Sequence, residues 1–388
     1  MEFFDLKKQY QNLKSEIDAA VLAVLEGGVF IGGPAVEKFE REAADFLGVK
    51  HVIGLNSGTD ALYLSLRALG IGAGDKVITT AFTFFATAEA IAAAGAKPVF
   101  VDIDPKTFNI NANQIETAIT GKTKAIMPVH LFGQMADMTR IGEIAQKYNL
   151  KIIEDCAQAI GATQVIHNSK TKAGLPAEAL AKAGTIRDIG CFSFFPTKNL
   201  GACGDGGMAV TDDDQIAAKI RMLKIHGSSP ENKYKNLEIG ANSRLDAIQA
   251  AILSVKIKHL DQWNGKRAAI AEGYDDALNG VGDIITPFVA LNNRHVYHQY
   301  TIRTKKRDQL AQFLKDAKIP TMVYFPFPMH LEPALGYLGH KMGDFPEAEC
   351  AAAEVLSLPI YPEFSRTRCE SVVHAVKIFY RSHKINAV

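Results

Sequence analysis

One lysine stands between an aromatic run and a glycine-rich turn: Cys191-Phe192-Ser193-Phe194-Phe195-Pro196-Thr197-Lys198-Asn199-Leu200-Gly201, followed by Gly204-Asp205-Gly206-Gly207. An ammonium in apolar, water-poor surroundings gives up its proton more easily and becomes a nucleophilic amine. That is the amine an aldehyde cofactor needs for a Schiff base. A lysine in an ordinary surface loop is the plain alternative. A second candidate, Asp155, ends the apolar run Lys151-Ile152-Ile153-Glu154-Asp155. A carboxylate there is costly unless it has a partner. A pyridinium nitrogen is such a partner, because the carboxylate keeps the ring protonated and an effective electron sink. Capping of the next turn is the competing explanation.

Two further clusters follow apolar runs. Asn56-Ser57-Gly58-Thr59-Asp60-Ala61 places small and hydroxyl residues where a helix would open. Exposed amides and the helix dipole make such a terminus an anion site, although the same residues serve as a plain helix cap. In Ala81-Phe82-Thr83-Phe84-Phe85-Ala86-Thr87 an aromatic could stack on a planar ring; core packing explains it equally. Other motifs fail. Gly70-Ile71-Gly72-Ala73-Gly74 has the wrong spacing for a dinucleotide fingerprint and follows a helix, and Pro196-Thr197-Lys198 is not a phosphate-binding P-loop. Asp212-Asp213-Asp214 reads as a helix cap. His226, His295, His298 and His330 lack metal-ligand spacing, so no metal is expected.

These residues need elements to hold them. Strand-like runs at 51–55, 76–80, 98–103, 125–130, 151–155, 191–195 and 208–211 alternate with helical segments near 60–69, 86–94, 113–119 and 139–148. That spacing predicts βαβ units and a largely parallel sheet, an α/β fold. Ligands in such sheets bind beyond the carboxyl ends of the strands, which is where every candidate above falls. Leu245, Ile248, Ile252 and Val255 form one face of a long helix that starts near Arg244 and runs towards Asn279. Beyond it, strands at 284–288, 297–303 and 320–325 and helices at 308–317, 346–356 and 367–381 predict a smaller α+β domain. The expected division is 1–249 and 250–388. Within the polar stretch 165–188, a short helix is expected over 175–183, opened by Pro176 and closed by Gly184.

Composition narrows the classes. Hydrophobic residues are 47% and charged residues 22%, as in ordinary globular chains. With 43 basic and 42 acidic residues, the net charge of +1 recommends neither nucleic acid nor an anionic membrane as partner. No apolar run is long enough to span a bilayer. The acidic opening Met1-Glu2-Phe3-Phe4-Asp5 is not a secretory signal. Five cysteines without CxxC spacing predict a reduced, cytoplasmic chain.

Taken together, the segments resemble the nucleotide-sugar aminotransferases of the DegT/DnrJ/StrS type, pyridoxal 5′-phosphate enzymes of fold-type I. The resemblance runs from Phe4-Asp5-Leu6 and Phe30-Ile31-Gly32-Gly33-Pro34 through Asn56–Ala61, Glu154–Gln158, Ser193–Lys198 and Gly240-Ala241-Asn242-Ser243-Arg244-Leu245-Asp246. It continues to His298-Gln299-Tyr300 and Ser357-Leu358-Pro359. It implies a large domain around a mostly parallel seven-stranded sheet and a smaller C-terminal α+β domain. It also implies a homodimer with shared active sites. Lys198 would carry the Schiff base and shuttle the proton. Asp155 would face the ring nitrogen, Gln158 the ring hydroxyl and Phe84 the ring itself. Gly58, Thr59 and Ser193 would cradle the phosphate, joined by Asn242 from the partner subunit. A rival within the family, a sugar dehydratase, would have histidine in place of Lys198. Glutamate would donate the amine and a nucleotide-linked keto sugar would accept it.

Among these relatives, the opening segment and Val323–His330 look most like enzymes that aminate C3 of UDP-linked 2-acetamido-hexuluronates or dTDP-linked 6-deoxyhexoses. Arg244, Tyr324 and His330 are the expected contacts to that substrate. Arg244 offers a planar fork for a carboxylate or diphosphate; pairing with Asp246 or Asp261 is the alternative. Tyr324 and His330 flank the turn Pro326-Phe327-Pro328. The chain departs from the family pattern in the long interval between Asp155 and Lys198, so substrate contacts are not carried over onto 163–188.

Overall fold

The computed structural model describes residues 1–167, 178–186 and 188–382. In chain order the first elements are helices α1 (Leu6–Gly27) and α2 (Gly33–Leu47), strand β1 (His51–Leu55), α3 (Gly58–Ala68), β2 (Lys76–Thr80), α4 (Ala86–Ala93) and β3 (Lys97–Val101). Next come α5 (Ile115–Ala118), β4 (Thr123–Met127), α6 (Met138–Tyr148) and β5 (Lys151–Asp155). A hairpin, β6 (Thr163–His167) and β7 (Glu178–Lys182), precedes β8 (Ile189–Ser193), β9 (Gly207–Thr211), α7 (Asp214–Leu223), α8 (Ala247–Lys256) and α9 (Leu260–Leu278). The chain ends through β10 (Asn293–Arg294), β11 (Tyr300–Arg303), α10 (Arg307–Asp316), α11 (Pro346–Glu354), β12 (Val355–Leu358) and α12 (Arg366–Ser382).

Seven strands form the main sheet in the order β1-β9-β8-β5-β4-β2-β3. Pairing is parallel from β8 through β5, β4 and β2 to β3, and β9 alone runs against the others. Adjacent residues of each strand enter opposite layers, as the period of two requires. Val52, Ile78, Ile126 and Ile152 pack with α2, α6 and α8. Ile53, Val77, Ala125 and Ile153 pack with α3, α4 and α7. With both faces covered, the strands are almost wholly buried. This topology sends the carboxyl ends of β1, β2, β4, β5 and β8 to one edge.

The buried face of α8 belongs to the larger core through Ala250 and Leu253, and Ile257 and Leu260 just beyond it join the same core. Ile252 and Val255 close on α1 through Leu13 and Ile17. The second core begins within α9, where Ala271, Tyr274 and Leu278 pack against β11, β12, α10 and α12. Residue 250 lies within α8, which packs on the larger core and on α1.

Local expectations differ at four places. Residues 178–182 of the expected short helix are strand β7, paired antiparallel with β6, and Ala183 and Gly184 form the turn after it; residues 175–177 lie outside the described residues. Alanine-rich local preference for helix yields to ladder hydrogen bonds offered by the Thr163–His167 strand. The expected strands at 284–288 and 320–325 shrink to single bridges, Ile285 with Arg303 and Met322 with Ser357. The helix expected to reach Leu356 stops at Glu354 because Val355–Leu358 pairs with β11. Helices α1 and α2 have no counterpart in the sequence reading. Among the described residues no helix is long and apolar enough to cross a membrane.

Candidate active site

A cavity of about 350 Å³ opens at the carboxyl edge of the sheet. Each strand that ends there supplies a wall. The segment after β1 brings Ser57, Gly58 and Thr59, and that after β2 brings Thr83, Phe84 and Thr87. Asp155 and Gln158 come from β5, and Ser193 and Lys198 from β8. His298, Gln299, Tyr324 and Phe325 close it from the C-terminal half. The size suits one planar cofactor with part of a substrate.

Burial disfavours the charged forms of both Lys198 and Asp155 in this cavity, and so moves their pKa values in opposite directions. Burial disfavours the ammonium and lowers the Lys198 pKa to about 8, with Asp155 pulling it back up. Burial raises the Asp155 pKa, opposed by the Thr87 hydroxyl, the Ala157 amide and the Lys198 charge. Thr87 Oγ1 donates to Asp155 Oδ2 at 2.8 Å, and Ala157 N donates to Oδ1 at 3.2 Å. Since Thr87 spends its hydrogen on Asp155, the Thr83 hydroxyl at 3.0 Å is the donor to Thr87. The carboxylate is thus held by two donors from two elements.

Below Asp155 a second buried carboxylate sets the backbone. Glu154 accepts His130 Nε2 at 2.9 Å and Gly184 N at 3.0 Å on one oxygen, and Ile186 N at 3.0 Å on the other. His130 Nδ1 accepts from Ala136 N, so its ring hydrogen is on Nε2. The amide of His130 donates to the Asp155 carbonyl at 3.0 Å. His130, Glu154 and Cys156 bring ligand-type atoms within 4.8 Å of one another. The first two are consumed by these bonds, and burial holds the Cys156 thiol well above its usual pKa. The cluster reads as a structural network.

The opposite wall fits a phosphate. Ser57, in extended conformation, caps α3 by accepting Asp60 N on its hydroxyl at 3.0 Å. The Gly58 and Thr59 amides are then first-turn donors without an acceptor inside the helix. Gly58 has no room for a side chain, since a Cβ there would lie 2.7 Å from Ser193 Cβ. Phe84 is 60% exposed in the cavity, and its ring lies 6.1 Å from that of Phe325. Gln158 Oε1 accepts Phe132 N at 2.6 Å, so its remaining polar group is the amide donor. A ring with a phosphate, a hydroxyl and a basic nitrogen matches this donor set.

Eight of the residues singled out by sequence line this one cavity: Gly58, Thr59, Phe84, Asp155, Gln158, Ser193, Lys198 and Tyr324. Three do not. Asn242 is exposed and sits in a bridge with Ile225 outside the cavity of its own chain. Arg244 is half-buried beside Lys224, and among the described residues it forms no ion pair with Asp246 or Asp261. His330 is a correction. Its side chain is fully buried, with Nε2 2.9 Å from Glu349 Oε1, and its ring packs on Phe345. It sits in the short turn at 329–331 against α11 and is not among the residues that line the cavity. Thr83, Thr87, His298 and Gln299 went unrecognised as site residues. Thr87 was findable: it lies in the first turn of a helix that follows a strand ending at the binding edge.

Comparison with known proteins gives the same architecture. A profile of the DegT/DnrJ/EryC1/StrS aminotransferase family matches residues 11–377. A Geobacillus stearothermophilus protein named pleiotropic regulatory protein is 52% identical, covering 97% of this chain and 98% of its own. The Pseudomonas aeruginosa UDP-2-acetamido-2-deoxy-3-oxo-D-glucuronate aminotransferase is 43% identical, over 93% of this chain and 95% of its own. The crystal structure of Streptomyces venezuelae DesV in complex with a ketimine intermediate superposes with a TM-score of 0.92 at 41% identity, covering 98% of both chains. The fold is fold-type I. The chain belongs to the DegT/DnrJ/EryC1/StrS aminotransferase family and is a pyridoxal 5′-phosphate-dependent enzyme.

Proposed function

We propose that this enzyme moves an amino group from glutamate to the keto carbon of a nucleotide-linked hexose, for surface polysaccharide synthesis. The lead acceptor is C3 of a UDP-2-acetamido-3-keto-hexuluronate. The observation that carries the reading is Lys198, an amine with its pKa pulled to about 8, sharing one cavity with Asp155 and the α3 terminus. The 43% identity to an aminotransferase named for such a uronate supports the lead. A dTDP-3-keto-6-deoxyhexose and a C4 keto sugar are the alternatives.

In this reading Lys198 is the attachment point, Asp155 the partner of the ring nitrogen, and Gln158 the partner of the ring hydroxyl. Phe84 covers one ring face, and Gly58, Thr59 and Ser193 hold the phosphate. The bound cofactor supplies an aldehyde carbon and an electron sink. Lys198 Nζ takes a proton from the carbon bearing the donor's amine and later returns one to the sugar carbon. Tyr324 lines the cavity and is proposed to contact the sugar. Asn242 and Arg244 are proposed to act in the partner's cavity, Asn242 on the phosphate and Arg244 on an anionic group of the nucleotide-sugar.

Incubation with a panel of keto sugars, with glutamate as donor and products identified by mass spectrometry and NMR, tests the assignment. Amination of the uronate alone supports the lead, and preference for a dTDP sugar replaces it. The name of the 52%-identical relative favours a second reading, a cofactor-binding regulator without turnover. A panel of amino donors, glutamate included, that all leave the visible chromophore unchanged would favour that reading instead.

A further inference from the structure

Two residues that line the cavity each carry a hydrogen-bond acceptor with no donor among the described residues; Gln299 also lines a smaller pocket with Phe108, Phe132 and Phe288. Gln299, 3% exposed, has a buried Oε1 without a partner. His298, also 3% exposed, uses only Nδ1, which lies 3.2 Å from Asn199 Oδ1. The orientation of Asn199 is fixed by backbone. Its Nδ2 donates to Val296 O at 3.0 Å and to Asn264 Oδ1 at 2.8 Å. Asn264 is anchored in turn by donating Nδ2 to Ile160 O at 3.0 Å.

Both carbonyls can only accept, so neither amide can flip without losing its bond. Asn199 therefore presents oxygen to His298, and the ring hydrogen of His298 must sit on Nδ1. Burial, with the charges of Lys198 and Arg267, holds the ring well below the usual histidine pKa. A neutral ring with its hydrogen on Nδ1 has a lone pair on Nε2. His298 and Gln299 are adjacent in sequence and both line the cavity that contains Lys198. Buried acceptors in a binding cavity are satisfied by a ligand that brings donors.

We propose that His298 and Gln299 form an acceptor subsite for an N–H or O–H group of the molecule bound here, with Asn199 locking His298 in the tautomer that accepts at Nε2. The inference rests on the amine-transfer reading above. Two groups share the required chemistry: the ammonium of the amino donor and a hydroxyl of the sugar. His298 and Gln299 would contact the ligand, and Asn199 is a positioning residue acting through His298.

Two measurements test the proposal. The first needs no cofactor. Long-range proton–nitrogen NMR of the cofactor-free protein, labelled in histidine and assigned by loss of a peak in His298→Gln, reads the tautomer. A neutral ring at pH 7 with hydrogen on Nδ1 is expected. Hydrogen on Nε2, or titration near the ordinary histidine value, overturns the proposal.

The second follows the two half-reactions separately in single turnovers, with folding checked by circular dichroism. His298→Leu, or His298→Phe if the leucine variant does not fold, should slow one half-reaction about tenfold or more. His298→Gln, which restores an acceptor, should recover most of that loss. A slow glutamate half-reaction identifies the ammonium as the donor, and a slow sugar half-reaction identifies the hydroxyl. Equal loss in both, or loss in neither, overturns the subsite. If the unsubstituted protein performs neither half-reaction, the function proposed above fails, and the tautomer measurement decides this inference alone.

Discussion

Lys198 and Asp155 each lose stability in their charged forms when buried, and each recovers part of that loss from the other. The balance has a measurable signature. A lysine whose folded pKa lies near 8 binds fewer protons than its unfolded counterpart between that value and the ordinary 10.5. Its contribution to stability therefore rises with pH across that window. In cofactor-free protein, competitive acylation of Lys198 should show a midpoint near 8, and a midpoint above 10 would place the amine in water. Asp155 depends on its donors in the opposite sense. Thr87→Val removes the hydroxyl at 2.8 Å, and with it a contact that lowers the carboxyl pKa, so that pKa should rise further. Cofactor affinity should fall roughly tenfold, with recovery in Thr87→Ser. Unchanged affinity and chromophore in the valine variant would mean that Ala157 and Lys198 hold the charge unaided.

At the scale of elements, the carboxyl ends of five strands are brought to one edge, and a buried carboxylate pins that edge. Glu154 takes three hydrogen bonds from two separate segments, His130 after β4 and the Gly184–Ile186 turn, without exposure. Glu154→Gln leaves the shape but turns one acceptor oxygen into a donor facing an amide. Stability should drop by about 1–3 kcal/mol in denaturant titration, and a loss below half a kcal/mol would show that the network relaxes freely. The seven main strands and most cavity residues were legible because β/α alternation and the residues after each strand are local signals. The hairpin strand β7 was not, because an alanine-rich segment pairs with a distant strand against its own preference. His330 was misplaced because a proline-rich turn does not reveal which way the next side chain points. His298 was missed because a histidine after a tyrosine carries no signature until Asn199 stands beside it.

At the scale of the whole molecule, the question is whether one chain suffices. Asn242 and Arg244 lie outside the cavity of their own chain, on a segment flanked by exposed Tyr234, Leu237 and Ile239. Nearby Phe30 and Ile31 are also about half exposed, although their backbone is tied to Asp246 and Ala247. Apolar side chains gathered around polar residues of this kind suit a self-complementary interface. In such a dimer, Asn242 of one chain would reach the phosphate held by Gly58 and Thr59 of the other. Mixing then has a definite outcome. Lys198→Ala and Asn242→Leu should each be inactive alone as homodimers. After subunit exchange, a hybrid contains one site with both substitutions and one with neither. Random pairing should therefore restore about a quarter of the sites. Exchange can be verified by differently tagged chains, and sedimentation should report a dimer before and after. Recovery near that fraction would place Asn242 across the interface. An active Asn242→Leu homodimer, or verified exchange without recovery, would show that each chain builds its site alone.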